Sequence, residues 1–420
     1  MVQCDEEVKK DSFNLTFILM YCLGTLAQIS GSIFPNAQLY WKYKLRDIGN
    51  PWNPSSNATT DLQDEFTADF ALVGNATTIF ALIISIIYTR RWNIVNRMIA
   101  CFFVYIILFL IIVFFVGIDT DSWQRGFLYL TLFLIFLISC TNAVFLVTLF
   151  QMCSKFSPVY ISAILSGQAL CGIFSSSLQI LTLSIDAKPE TNGFLYFSAT
   201  VAFVAMVCVT FVACMKYSEF FIYHVERANP KNIVKVDIPK ELVFSIWKRQ
   251  KFVFVSLLLI VGISSMVHPG ITATVQSTGA GVGNKWNDTF FVPVITFFVY
   301  NFLDLVGREM ALKVERPTDE IPVLSLSFIR IVLIPVLLFC NLSSKHNTRV
   351  LFNSDAVYIL VIILFAVSNG YLTNICVIML PKNYDGSDKD RAVTIAMLFF
   401  LLLLGSGVFS FLGLALLKVM

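Results

Sequence analysis

The chain alternates between long apolar runs and short polar ones. Eleven of the runs are long enough to cross a bilayer as helices. They cover approximately 13–40, 69–89, 97–118, 127–150, 158–184, 194–217, 252–276, 289–313, 321–343, 355–380 and 391–418. The pattern predicts an all-α polytopic membrane protein with eleven transmembrane helices. One long polar connection, 218–250, divides the runs six plus five. The expected organisation is an N-terminal half-bundle over 1–217, a connecting loop over 218–250, and a C-terminal half-bundle over 251–420. The connecting loop is basic and predicts a cytoplasmic connector with a short amphipathic helix lying on anionic lipid.

Composition supports this reading. Of 420 residues, 57% are hydrophobic and 14% charged, and forty are phenylalanine. Mean hydropathy is +0.76. A soluble chain of this length needs more polar surface. The net charge of +3 is too small to suggest a nucleic-acid partner, but its distribution is informative. With the N-terminus placed inside, loops on the inner side hold 19 Lys and Arg, and those on the outer side hold 9. The positive-inside rule then predicts a cytoplasmic N-terminus and an extracellular C-terminus. The sequons at Asn57, Asn287 and Asn341 all fall on the predicted outer side, which makes them candidate glycosylation sites. A fourth, at Asn75, lies within the second run. The first run is longer than a signal-peptide core and is kept as a span.

The residue inventory excludes several function classes. Most of the ten cysteines lie in apolar runs, with no CxxC, and the three histidines are scattered. No metal site and no cofactor is expected. No catalytic dyad suggests an enzyme, and the absence of GxxxxGK[ST] argues against direct ATP drive. Little loop mass remains for an obligate protein partner. The expected partners are the lipid bilayer and a small solute. The short N-terminus holds no acidic dileucine, which favours the plasma membrane over lysosomes.

Polar groups inside the runs carry the candidate chemistry. In 290–313, Asn301, Asp304 and Arg308 are spaced i, i+3, i+7, one above the other on a helix face. A carboxylate and a guanidinium in a membrane are costly unless they pair or line a wet cavity. Two readings stay open: a structural ion pair or snorkelling end, and a substrate contact on a transport pathway. The fifth run is rich in small residues and carries Gln168. The seventh contains His268-Pro269-Gly270, a step that invites a helix break near a transport site. His268 reads either as a hydrogen-bonded neutral ring or as a titrating group. The tenth presents Asn369 beside Gly370. Arg330 in the ninth is expected to pair with a carboxylate or a helix end.

Several of these stretches form motifs. YNFLDLVGR at 300–308 is similar to the FNxxDxxGR pattern, SNGYL at 368–372 matches a second, and AILSGQALCG at 163–172 looks like PIMSGQGLAG. Glu219, Phe220 and Tyr223 add a Glu-Phe-x-x-Tyr pattern. On these motifs the chain resembles the equilibrative nucleoside transporter family over nearly its whole length. The resemblance implies a six-plus-five fold similar to the major facilitator superfamily, with Asp304 and Arg308 at ribose hydroxyls. It also implies two departures at the base end. GTLAQIS at 24–30 stands where the family has GTLLPWN, which places Ile29 at a stacking position. Leu146 stands where a base-reading glutamine is common. The expected function is movement of nucleosides or nucleobases down their gradient by alternating access. The alternatives are another small polar solute and proton-coupled nucleoside transport. The candidate substrate residues are Asp304, Arg308, Asn301, Gln168, Asn369 and His268.

Overall fold

No water is available inside a bilayer to bond a bare N–H or C=O, so each apolar run folds as a helix that satisfies its own backbone. The computed structural model describes residues 11–49, 60–88, 92–185, 188–228, 240–281, 283–342, 350–380 and 388–419. The first half contains α1 (Leu15–Asn36), α2 (Gln38–Lys44), α3 (Asp61–Tyr88), α4 (Ile94–Val116), α5 (Gln124–Cys153), α6 (Pro158–Ser184) and α7 (Pro189–Tyr217). A short α8 (Glu219–Ala228) leads to the second half: α9 (Lys240–Val267), α10 (Tyr300–Val314), α11 (Glu320–Ile329), α12 (Leu333–Leu338), α13 (Asp355–Met379) and α14 (Asp388–Val419).

Local signals set the helix starts. Proline stands in the first turn of α6 and of α7, where its missing N–H costs nothing. Asn93 caps α4 by accepting from the Val95 N–H at 2.9 Å. Asp11 receives the Thr16 and Phe17 N–H groups, both at 3.1 Å, at the start of α1. α4 points Phe103, Ile107, Leu110 and Phe114 outward and buries Phe102, Tyr105 and Phe109, which suits a helix with lipid on one side.

Among the described residues, nine helical segments are long and apolar enough to cross a membrane. The second and eighth predicted runs are not among the nine. α3 occupies the former. The latter is helical over 286–314 but carries Asp304, Arg308 and Glu309.

Helix pairing repeats between the halves. In the first, α1 packs on α6, α3 on α5 and α4 on α7; in the second, α9 packs on α14 and α10 on α13. The first long helix therefore meets the fifth, and the second meets the fourth, in both halves. Two parallel repeats of this kind bring their inner faces together around a central axis. Small residues permit the closest crossings. A Cβ on Gly167 would meet the Tyr21 carbonyl of α1, and one on Gly370 would meet the Asp304 carbonyl of α10.

Three expectations are corrected or extended. The eighth run is not uniformly α-helical: Trp286–Phe290 and Val292–Val299 form π-helix, and α begins at Tyr300. The amphipathic helix of the connector also packs on protein, because α8 buries Phe221, Val225 and Ala228 against α5 and α7. The far part of 218–250 is already helix, since α9 starts at Lys240 and kinks at Gln250.

Candidate functional site

A cavity of about 550 Å³ lies between the halves. α1, α3, α5 and α6 line one side; α9, α10, α13 and α14 line the other. The first side mixes apolar residues, Ile135, Ile138, Leu146 and Phe150 along α5, with uncharged polar ones such as Ser139, Asn142 and Gln168. The second carries the charge.

Asp304 is 3% exposed and Arg308 7%. Arg308 Nε donates to Asp304 Oδ2 at 2.8 Å, and Asn369 Nδ2 donates to Oδ1 at 2.7 Å. The carboxylate is thus neutralised by one neighbour and oriented by another, as burial of a charge requires. Asn369 is fixed in turn. Its Oδ1 accepts from Ser264 Oγ at 2.6 Å and from Arg330 at 3.4 Å. Asn374 Nδ2 binds the Arg308 carbonyl at 3.0 Å. Arg308 keeps one buried nitrogen, Nη1, without a partner. A carboxylate or a helix end was expected for Arg330, but its hydrogen-bond partners among the described residues are neither. It donates to Ser264 Oγ at 2.8 Å and, at 3.3 Å each, to the Ile260 and Phe365 carbonyls. The break between α11 and α12 brings the guanidinium to these acceptors, and it reaches Asp304 only through Asn369.

All six predicted substrate residues line the cavity. Asn301 packs beside Gly172 of α6, and its Nδ2 bonds the Phe297 carbonyl at 2.7 Å. Gln168 forms no side-chain hydrogen bond among the described residues. His268 follows the end of α9, where the helix stops short of Pro269. Its Nδ1 lies 3.0 Å from Thr272 Oγ1, and its ring stacks on Tyr300 at 3.7 Å. Leu146 faces the cavity as expected, but Ile29 does not. It is fully buried in the core, and α1 presents Gln28 and Gly31 instead. The crossing of α1 on α6 fixes the rotation of α1 and turns Ile29 away.

The cavity is closed at the end where α1 and α6 begin. Glu309 accepts from the Tyr21 hydroxyl of α1 and, at 2.9 Å, from Ser166 of α6. Phe150 stacks on Phe399, and Arg391 donates to the Phe156 carbonyl. Each of these contacts joins the two halves. At the other end Asn36, Pro269 and Gly270 line the opening.

The family described as "Nucleoside transporter" matches residues 132–241 and 225–414, more than half of the sequence. The chain belongs to this family. Among its relatives, rat equilibrative nucleoside transporter 3 is 25% identical, with 94% of this chain and 88% of the relative covered. Human equilibrative nucleoside transporter 1 is 24% identical, with coverage of 96% and 97%. The fold is that of the major facilitator superfamily. The proton:xylose symporter XylE bound to 6-bromo-6-deoxy-D-glucose superposes with a TM-score of 0.61 at 11% identity, over 96% of this chain and 88% of that one. Family and fold are those of multi-pass membrane transporters.

Sequence reasoning did not assign Tyr21, Ser166, Ser264 or Glu309 in this nucleoside transporter family member. Tyr21 and Glu309 are 288 residues apart, and only folding brings them together. Of the sequons, Asn57 lies outside the described residues. Asn287 Nδ2 bonds the Gly279 carbonyl at 3.3 Å, and the Asn341 carbonyl accepts from Gln276 at 2.9 Å. Both pack on the 276–279 segment that follows α9, and Asn75 falls within α3.

Proposed function

We propose that this chain carries nucleosides, with nucleobases as the neighbouring cargo class, down their gradient by alternating access. The observation that carries the proposal is the Asp304 carboxylate at the cavity wall. Each of its oxygens accepts one hydrogen bond from the protein, and each retains a second lone pair. The vicinal hydroxyls of a ribose present two donors at matching spacing. Arg308 supplies a donor beside them, and the apolar α5 residues Ile138, Leu146 and Phe150 opposite suit a base. No chemistry on the solute, no cofactor and no obligate protein partner is part of this reading.

In the proposed orientation the N-terminus and the closed end face the cytoplasm of a cell with the chain in its plasma membrane. The C-terminus and the opening face outward, with Asn57, Asn287 and Asn341 available for glycan. The charge bias and the shared position of Asn287 and Asn341 support this orientation.

The test is uptake of labelled uridine into proteoliposomes, with and without sodium and pH gradients. Saturable uptake and counterflow that need neither gradient are expected. A strict requirement for either gradient overturns the downhill part of the proposal. Wild type should also prefer ribosides over 2′,3′-dideoxy analogues. Asp304→Asn should lose most of that preference, since an amide accepts less strongly and disturbs the pair with Arg308. A variant that transports with its preference unchanged would make Asp304 a purely structural residue.

A further inference from the structure

The repeat between the halves places α5 and α13 in the same role, the fourth long helix of each. Each presents an asparagine after a hydroxyl residue and before a small one: Thr141-Asn142-Ala143 and Ser368-Asn369-Gly370. Asn142 and Asn369 line the cavity, and both are 8% exposed. In each, the amide oxygen is held from behind by a neighbouring helix. For Asn369 the holders are Ser264 and Arg330. For Asn142 the holder is the buried Tyr105 hydroxyl of α4, at 2.9 Å. That hydroxyl proton has no other acceptor among the described residues. Turning the amide over would leave it stranded without an acceptor.

The halves then differ in what the amide nitrogen meets. Asn369 Nδ2 donates to Asp304. In the first half, α3 takes the place of α10, and Phe70, Gly74 and Thr78, which line the cavity among the described residues of α3, offer no carboxylate. Asn142 Nδ2 makes no hydrogen bond among the described residues, although Ser139 and Gln168 line the same wall. An oriented donor facing a cavity without a protein acceptor is a position for a ligand acceptor.

We propose that Asn142, clamped by Tyr105, is a specificity-determining residue that reads a carbonyl oxygen of the nucleobase. The inference rests on the nucleoside transport reading and deepens it. A clamped amide donates and does not accept, so it favours an oxo group over an amino group at the edge it faces. Uridine should therefore compete better than cytidine, and inosine better than adenosine. Each pair shares its sugar and ring skeleton and differs only along one edge, at the oxo or amino group and the ring nitrogen beside it, so the comparison reads that edge. A single mismatched hydrogen bond at a partly wet site gives a ratio of about 5- to 10-fold.

The experiment measures competition by these four nucleosides against trace labelled uridine, in wild type, Tyr105→Phe and Asn142→Ala at the cell surface. Wild type should show the oxo preference in both pairs. Tyr105→Phe frees the amide to present its oxygen, and the ratios should fall toward one as cytidine and adenosine strengthen. Asn142→Ala should also bring the ratios near one, with uridine weakened. Both variants should keep the preference for ribosides over 2′,3′-dideoxy analogues. A merely structural Tyr105 bond would lower maximal uptake without moving the ratios. Wild type without oxo preference, or Tyr105→Phe with the full ratio retained, overturns the inference. Absence of saturable nucleoside uptake is a separate result, which overturns the transport reading beneath it.

Discussion

At the residue scale, the site is a chain of side chains that hold one another: Arg330 and Ser264 fix Asn369, Asn369 and Arg308 fix Asp304. Replacing Asp304 by Ala leaves Arg308 charged and unpaired, a loss of about 3–5 kcal/mol. The expected outcome is a lower melting temperature of the purified protein as well as lost uptake. Asn369→Asp should be worse than Asn369→Ala, because it sets a second carboxylate against Asp304; their order in a thermal-shift assay checks this. The part of the site legible in the sequence was the part with charge or amide in an apolar run, where the penalty makes a residue stand out: Asp304, Arg308, Asn301, Asn369. The support from Ser264 was not legible, because a serine in a span commonly bonds its own backbone. Outside the membrane, His224 on α8 is half-buried between Phe156 and Phe220. Burial, with help from Arg227 and Arg391, lowers its pKa below the usual 6.5. As pH falls through 6.5 the unfolded chain takes up a proton that the folded ring refuses, so stability present above that range is lost on acidification. The melting temperature should fall between pH 7.5 and 5.5, and less steeply in His224→Gln.

At the element scale, hydropathy located the helices well, since length and apolarity are what a bilayer selects. The sixth helix follows its predicted run of 158–184 to the residue. Hydropathy could not reveal the π-helical lead into α10, because the same apolar residues satisfy either hydrogen-bond pattern. Nor could it give helix rotation, so it could not test the position that the resemblance gave Ile29. Rotation of α1 is set at its crossing with α6. There Gly167 lies against the backbone of Tyr21 and Thr25, and the Thr25 hydroxyl bonds the Gly167 carbonyl at 3.0 Å. Gly167→Ala should cost roughly 1–3 kcal/mol through overpacking. Gly74→Ala, on a helix with open space at that position, should gain up to about 1 kcal/mol from helix propensity. Melting temperatures of the two variants should move in opposite directions.

At the scale of the whole molecule, the single long polar connection predicts a six-plus-five division, and helix pairing repeats on either side of that connection. The state of the transporter was not legible. Which end is shut depends on contacts between residues far apart in sequence, chiefly Tyr21 and Ser166 on Glu309 and Arg391 on the Phe156 carbonyl. Tyr21→Phe removes a charge-assisted hydrogen bond worth roughly 1.5–3 kcal/mol, enough to shift a two-state equilibrium by an order of magnitude or more. Hydrogen–deuterium exchange should then rise in peptides covering 150–160 and 391–403, with the α4–α7 pair unaffected. Unchanged exchange at the closed end would mean that the latch does not set the resting state.

That latch has a kinetic meaning of its own. It stabilises one facing of the empty protein and has no counterpart of the same kind described at the opposite end. A cycle that moves a single uncharged solute must obey detailed balance, so unequal resting populations cannot produce accumulation. They can only make the half-saturation concentration and the maximal rate differ between entry and exit, both by the same factor. A stronger latch would leave the final distribution of solute untouched and change only how quickly it is reached from each side.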